Sequence, residues 1–349
     1  MQDNRVGWDI GGAHLKAAWL NHNAEVQAVY QEPCPLWQGI ESLETALAHI
    51  VDKLPSSSVQ HAITMTGELV DLFENKAQGV MEIIAVMQRV LGAQSLLVYA
   101  GRSGFISAEL VEAKHIDDIA SANWLASAQY VAQQIDEGLF IDMGSTTTDI
   151  LLLSNKQVDA LGYTDFQRLI SSELVYTGMV RTAVMAVVQS VDFAGSEVGV
   201  MSEYFATMAD VYRLTGELDE RHDQSEPADG GEKTELASAR RLARMIGCDL
   251  QDFSLSRWQE LAYTIRKQQL NRIQLAIQKQ LLRLDKQEKT VLIGAGIGRS
   301  LIQEIALNLE LEYRDFDSLF KPSIDKTEMQ IADCASAVAV SYLAIESQP

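Results

Sequence analysis

The sequence predicts an α/β chain in which one supersecondary unit occurs twice, and three observations carry that prediction. The stretch Phe140 to Asp149 is an apolar strand that enters a glycine turn dense in hydroxyls, after which Ile150 to Leu153 resumes strand character. Arg5 to Leu20 repeats the layout: a constant shift of 133 positions places Asp9 on Asp142, Gly11 on Gly144 and Gly12 on Ser145. Thr290 to Ile302 reads as a buried strand, a turn through Gly294, Gly296 and Gly298, and a helix start.

In chain order, the strand ending at Asp9 is followed by a second over Leu15–Leu20 and, after the Asn21 to Asn23 turn, a third. Leu43, Leu47, Ile50 and Val51 fall at helical spacing, so Glu41 to Leu54 is a packing helix. A strand from His61 ends at the polar turn Thr66-Gly67-Glu68, and Val70 to Leu91 is helical with a break expected near Gly79. Ser95 to Tyr99 is a buried strand, and Asp117 to Gln134 a helix leading to the second copy. Beyond that copy, Thr164 and Asp165 cap a helix carrying Arg168, and the stretch Ser171 to Thr182 mixes hydrogen-bonding groups with apolar ones. Tyr204 to Tyr212 and Ala237 to Ile246 read as helices, and residues 216–235 between them as a mobile, solvated acidic excursion. Ser256 to Leu284 is a long helix whose buried stripe is Leu261, Ile265, Ile273, Ile277 and Leu281. Met329 to Ile345 becomes Ala-rich, as a closely packed helix would. The expected domains are residues 1–134 with 328–349, and residues 135–327.

The turns can present backbone N–H groups and the hydroxyls of Ser145, Thr146, Thr147 and Thr148 to phosphate oxygens, with Gly11 and Gly12 in the equivalent place. Asp142 or Asp149, and Asp9 in the first copy, can hold a hydrated Mg²⁺. A polar hairpin at a sheet end is the alternative. Glu68 is either a carboxylate favouring a helix N-terminus or a base, and His14 either a structural histidine or a catalytic one. Arg168 and Arg181 suit bidentate recognition of a carboxylate or phosphate, with Tyr176 as a stacking or phenolic partner; surface ion pairs are the alternative for each. Gly294 and Gly296 are further candidate phosphate-binding glycines; they do not make a dinucleotide fold, which needs a complete βαβ unit.

The net charge of −20 repels nucleic acid and anionic membrane surfaces. Three cysteines without Cys-x-x-Cys spacing exclude a disulfide framework or zinc site and fit reduced cytosolic thiols. No apolar run reaches the length of a bilayer crossing, so a cytoplasmic protein acting on small molecules is expected, without nucleic acid or membrane; a homo-oligomer stays open.

Through its two Asp-x-Gly turns the sequence resembles the actin, Hsp70 and sugar-kinase superfamily, which implies two RNase H-like domains facing a central cleft. A narrower resemblance rests on Trp8 to Lys16, Met65 to Leu69, Asp142 to Asp149, Gly162 to Asp165, Glu173 to Gly178 and Arg241 to Gly247. Together these look like the hydantoinase/oxoprolinase-related proteins of the tetrahydromethanopterin-linked one-carbon pathway. That resemblance implies a transferase that joins an aminomethyl-furanmethyl diphosphate to γ-glutamyltyramine, with Mg²⁺ as cofactor, in methanofuran or methylofuran biosynthesis. It further implies the turns and Lys16 on the diphosphate, Glu68 or His14 as base, and Arg168 or Arg181 on the glutamyl carboxylate. ATP-dependent amide hydrolysis and a non-catalytic nucleotide-switched binding protein are the competing readings.

Overall fold

The computed structural model describes residues 4–55, 59–92, 96–284, 290–320 and 329–346. The expected strand start at Ser95 and the expected boundary between residues 327 and 328 lie outside them. The chain gathers into two compact units, one of Met1–Phe140, Leu151–Gln167 and Arg314–Pro349, the other of Ile141–Ile150 and Arg168–Tyr313.

The first sheet runs β1 (Asn4–Ile10), β2 (His14–Leu20), β3 (Val26–Pro33), β4 (Val59–Met65), β5 (Leu96–Tyr99) and β6 (Phe105–Ser107), in the order β3-β2-β1-β4-β5-β6. The first three strands form an antiparallel meander; β4 pairs parallel with β1 and β5 parallel with β4. Parallel neighbours need crossovers, supplied by α1 (Glu41–Val51) and α2 (Lys76–Leu91). This is the RNase H-like arrangement the repeated turns imply.

Strand alternation assigns the sheet two faces. Val6, Trp8, Ile10, Leu15, Ala17, Ile63 and Met65 point to one and meet Leu43, Leu47 and Ile50 of α1 and Val80, Ile83 and Met87 of α2, all buried. Each large side chain buried there contributes about 2 kcal/mol. Helix α2 starts on Asn75, whose side chain accepts the Gln78 amide, and runs unbroken through Gly79. Gly79 is a contact instead of the expected break: a Cβ there would lie 2.4 Å from the Glu68 carbonyl oxygen.

The expected helix from Asp117 to Gln134 is interrupted. It divides into α3 (Ile116–Ile119) and α4 (Asn123–Gln134) because Ser121 adopts φ +51°, a left-handed conformation no helix accommodates. That interruption frees residues 121–123 to turn their side chains toward β1 and β4.

The second sheet is built from β7 (Glu137–Met143), β8 (Thr148–Ser154), β9 (Gln157–Val158), then α5 (Asp165–Ser171) and β10 (Leu174–Val175). Next come α6 (Val184–Val187), the hairpin β11 (Ser190–Phe193) and β12 (Ser196–Gly199), α7 (Met208–Thr215), α8 (Glu235–Met245) and α9 (Leu255–Leu281). The chain continues with β13 (Val291–Ala295), α10 (Arg299–Asn308) and β14 (Glu312–Asp315), and the sheet order is β10-β8-β7-β13-β14 with β9 beside β8. The stripe expected on α9 is buried, joined by Trp258, which stacks on Phe193 with ring centroids 5.3 Å apart.

Finally α11 (Ala335–Glu346) packs on β1 in the first unit. Ala335, Ala337 and Ala339 are buried, and a Cβ on Gly7 would sit 2.0 Å from the Ala337 carbonyl oxygen. Small residues on both partners allow this backbone approach.

Residues 216–235 correct the expectation of a solvated excursion. His222 and Asp223 are buried; Arg213 of α7 pairs with Glu220 and Asp223, and Arg241 of α8 pairs with Asp229 and Asp210. Lys233 Nζ donates to the Asp223 carbonyl at 2.6 Å. The segment is apolar-poor because ion pairs fasten it, and the buried arginines lie outside it in the sequence. Among the described residues no helix is long and apolar enough to cross a membrane.

Candidate functional site

The first turn closes when the Gly11 amide donates to the His14 carbonyl at 3.0 Å and the Thr66 amide donates to the Ile10 carbonyl at 2.9 Å. Glycine is required by proximity: a Cβ on Gly12 would lie 2.8 Å from Val70 Cγ1, and one on Gly67 would lie 3.1 Å from the Gly11 carbonyl oxygen. Register sets Asp9 opposite Lys16 on β2 and Thr64 on β4. Alternation then puts His14, Lys16, Asp9 and Thr64 on one sheet face, opposite the Trp8 core. Asp9 accepts from Asn123 Nδ2 at 3.4 Å on each oxygen, and Lys16 Nζ donates to the Asp333 carbonyl at 2.7 Å.

Glu68 is fully buried. Ser121 donates its hydroxyl to Glu68 Oε1 at 2.9 Å, Asp165 lies 3.5 Å from the same hydroxyl, and Glu68 Oε2 has no hydrogen-bond partner among the described residues. Burial holds this carboxyl above the usual range, and the nearby Asp165 charge adds to the rise. Residues 121 and 123 therefore brace two carboxylates beside the first turn; the place of Asn123 at a helix beginning is a local signal of this, and Ser121 has none.

The second turn is more fully tied. The Gly144 amide donates to the Thr147 carbonyl at 2.9 Å, the Met179 amide to the Gly144 carbonyl at 3.0 Å, and the Val180 and Arg181 amides to the Ser145 carbonyl. Gly178 lies so close that a Cβ would fall 2.5 Å from the Thr146 amide nitrogen. Gln269 of α9 donates to the Thr177 hydroxyl and the Gly178 carbonyl, fixing that approach. Gly296, at φ +80°, brings the β13–α10 turn to Asp142: a Cβ would be 2.4 Å from Asp142 Oδ1. A Cβ on Gly294 would meet the Tyr313 ring at 2.6 Å, so this glycine serves packing.

The structure sorts the expected residues of this turn. Ser145, Thr146 and Thr147 are half-buried, and the Arg181 guanidinium donates to the Thr146 hydroxyl at 3.4 Å. Thr148 is buried and donates to the Thr177 carbonyl at 2.8 Å, so its hydroxyl is turned inward, away from any ligand. Arg168 is buried and pairs with Asp149, so the arginine is engaged in an ion pair and the candidate metal carboxylate is its partner. Tyr176 is exposed. Mg²⁺ retains most of its water and takes one or two carboxylates; Asp9 and Asp142, each at a strand end beside a glycine turn, fit that requirement.

The chain was compared with known proteins. It is 32% identical over 246 residues to the (4-{4-[2-(gamma-L-glutamylamino)ethyl]phenoxymethyl}furan-2-yl)methanamine synthase of Methanocaldococcus jannaschii, covering 70% of this chain and 72% of that protein. The synthase of the same name from Methanococcus vannielii is 32% identical over 128 residues, 36% of this chain and 57% of that one. Among solved structures, acetone carboxylase in its nucleotide-free form superposes with a TM-score of 0.59 at 10% identity, over 97% of this chain and 70% of that one, a likeness of fold alone. The Hydantoinase/oxoprolinase sequence profile matches residues 60–324. Because that span takes in Glu68, the whole second turn and the glycines at 294 and 296, the chain belongs to the hydantoinase/oxoprolinase family.

Proposed function

We propose that the chain forms an aryl ether in methanofuran or methylofuran biosynthesis for one-carbon metabolism. The phenol oxygen of γ-glutamyltyramine bonds to the furanylmethyl carbon of an aminomethyl-furanmethyl diphosphate; the bond from that carbon to the diphosphate oxygen breaks, and the phenol proton goes to a base. The observation that carries this reading is the 32% identity spanning 72% of the M. jannaschii synthase, whose name contains the phenoxymethyl-furan link.

The chemistry asks for two things. Diphosphate must leave with its charge compensated, and a phenol with an ordinary pKa near 10 must lose its proton. The amides and the hydroxyls of Ser145, Thr146 and Thr147, with Arg181 beside them, suit the first. Mg²⁺, for which Asp142 at the second turn is the candidate ligand, would supply further compensation of phosphate charge when bound. For the second, Glu68 is sealed from solvent and burial raises its pKa, while His14 shares the sheet face of Asp9 and Lys16; we take His14 as the base. The setting is the cytoplasm, where Cys34, Cys248 and Cys334 are free thiols; burial pushes the Cys34 thiol up to about 12, so it is inert.

The test is diphosphate release from aminomethyl-furanmethyl diphosphate with Mg²⁺ and γ-glutamyltyramine, beside ATP alone and ATP with 5-oxoproline. Release that requires the phenol and falls at least a hundredfold in Asp9→Asn and Asp142→Asn is expected. Phosphate from ATP with no coupled ether would sink the reading.

A further inference from the structure

One face of α9 is left uncovered. Arg272, Leu275 and Lys279 recur at helical spacing on its exposed side, and with Leu169, Val175 and Tyr176 they line an open groove of about 580 Å³ within the second unit. That size suits a small molecule. Leu275 is 67% and Tyr176 57% exposed, so among the described residues nothing covers this large aliphatic side chain and aromatic ring.

The charge of the groove runs against that of the chain. No Asp or Glu lines it, although the net charge is −20. Arg168, Arg213, Arg241, Arg266 and Arg283 all pair with carboxylates. Among the described residues Arg272 and Lys279 do not: Arg272 donates to the Ala186 carbonyl at 3.4 Å, and Lys279 to the Ile170 carbonyl and the Ser172 hydroxyl. The two basic side chains are rooted about 10 Å apart along the helix, without a carboxylate partner among the described residues, beside apolar and aromatic surface. The complement is an elongated molecule with an aromatic body and a carboxylate. Tyr176 also lies only two residues from Gly178, the glycine packed on the second phosphate turn.

We propose that this groove is the acceptor site, taking a phenol on a short amide arm that ends in a carboxylate, with Arg272 and Lys279 holding the carboxylate and Tyr176 and Leu275 covering the arm. The proposal rests on the ether-synthase reading above. It replaces Arg168, which is committed to Asp149, as the source of carboxylate recognition.

Direct titration of the full chain with γ-glutamyltyramine, and with tyramine as the analogue lacking the carboxylate, tests it without requiring turnover. The double variant Arg272→Ala with Lys279→Ala is expected to weaken γ-glutamyltyramine about tenfold or more while leaving tyramine unchanged; Tyr176→Ala is expected to weaken both. No binding to the wild type, or unaltered binding in the double variant, overturns the proposal. So does a dimer that Leu275→Glu dissociates without changing titration, since the face would then belong to a second copy. Binding through these residues without diphosphate release would remove the reaction and keep the groove. Release with an unchanged acceptor KM in the double variant would do the reverse.

Discussion

The Arg168 guanidinium donates to the Asp149 carboxylate inside the second unit, with the arginine 2% exposed and its partner 16%. Removing one member of a buried pair strands the other charge, at a cost of about 3 kcal/mol. Arg168→Met is therefore expected to lower the urea midpoint by a corresponding amount while the folded fraction keeps its acceptor KM. A variant as stable as wild type that has lost acceptor binding would return Arg168 to the substrate.

Glu68 yields a pH signature. Its folded carboxyl titrates above the unfolded one, so the unfolded chain releases the proton first as pH rises past about 4.5. Stability is then lost on raising pH through the folded pKa. Glu68→Gln removes that loss, and urea titrations from pH 4 to 8 should show the variant gaining on the wild type as pH rises. Parallel curves would mean that the carboxyl is ionised in the fold.

His61 behaves in the opposite sense. Its Nδ1 accepts the Trp8 indole N–H at 3.1 Å, and burial lowers its pKa from 6.5 to about 4. The unfolded chain takes up the proton first as pH falls, so stability declines from pH 6.5 down to about 4 and then levels. The loss is about 3 kcal/mol. His61→Asn should abolish this slope, as followed by thermal unfolding against pH.

Gly296→Ala should affect both stability and chemistry. The left-handed backbone costs an alanine more than about 1 kcal/mol, and its methyl would collide with Asp142 Oδ1 at 2.4 Å. Diphosphate release is expected to fall by more than tenfold beyond the loss of folded protein, measured per folded molecule by circular dichroism. Full activity in Gly296→Ala would show that Asp142 has no part in holding the ligand.

Much of the architecture was legible because it repeats and alternates. The shift of 133 positions between Asp9 and Asp142 identified both turns, and the α9 stripe from Leu261 to Leu281 fixed its buried face. What escaped was decided by partners distant in sequence. Gly79 looks like a helix breaker until the Glu68 backbone is seen against it. Residues 216–235 look solvated because composition does not reveal that Arg213 and Arg241 receive their carboxylates. Arg168 and Asp149 each looked available until paired. Asn123 and Ser121 carry no motif; they reach Asp9 and Glu68 only because the chain breaks its helix at Ser121.

The contact between Gly7 and Ala337 has a bearing on biosynthesis. Strand β1 is covered on one side by a helix that leaves the ribosome more than three hundred residues later. At elongation speeds of about 5–20 residues per second, the nascent sheet around β1 waits for many seconds with that flank bare. Such separation favours slow, late consolidation and exposes an unfinished apolar surface to chaperones or to neighbouring nascent chains. A translational stall ahead of residue 335 would leave a product whose leading half is formed but unsealed.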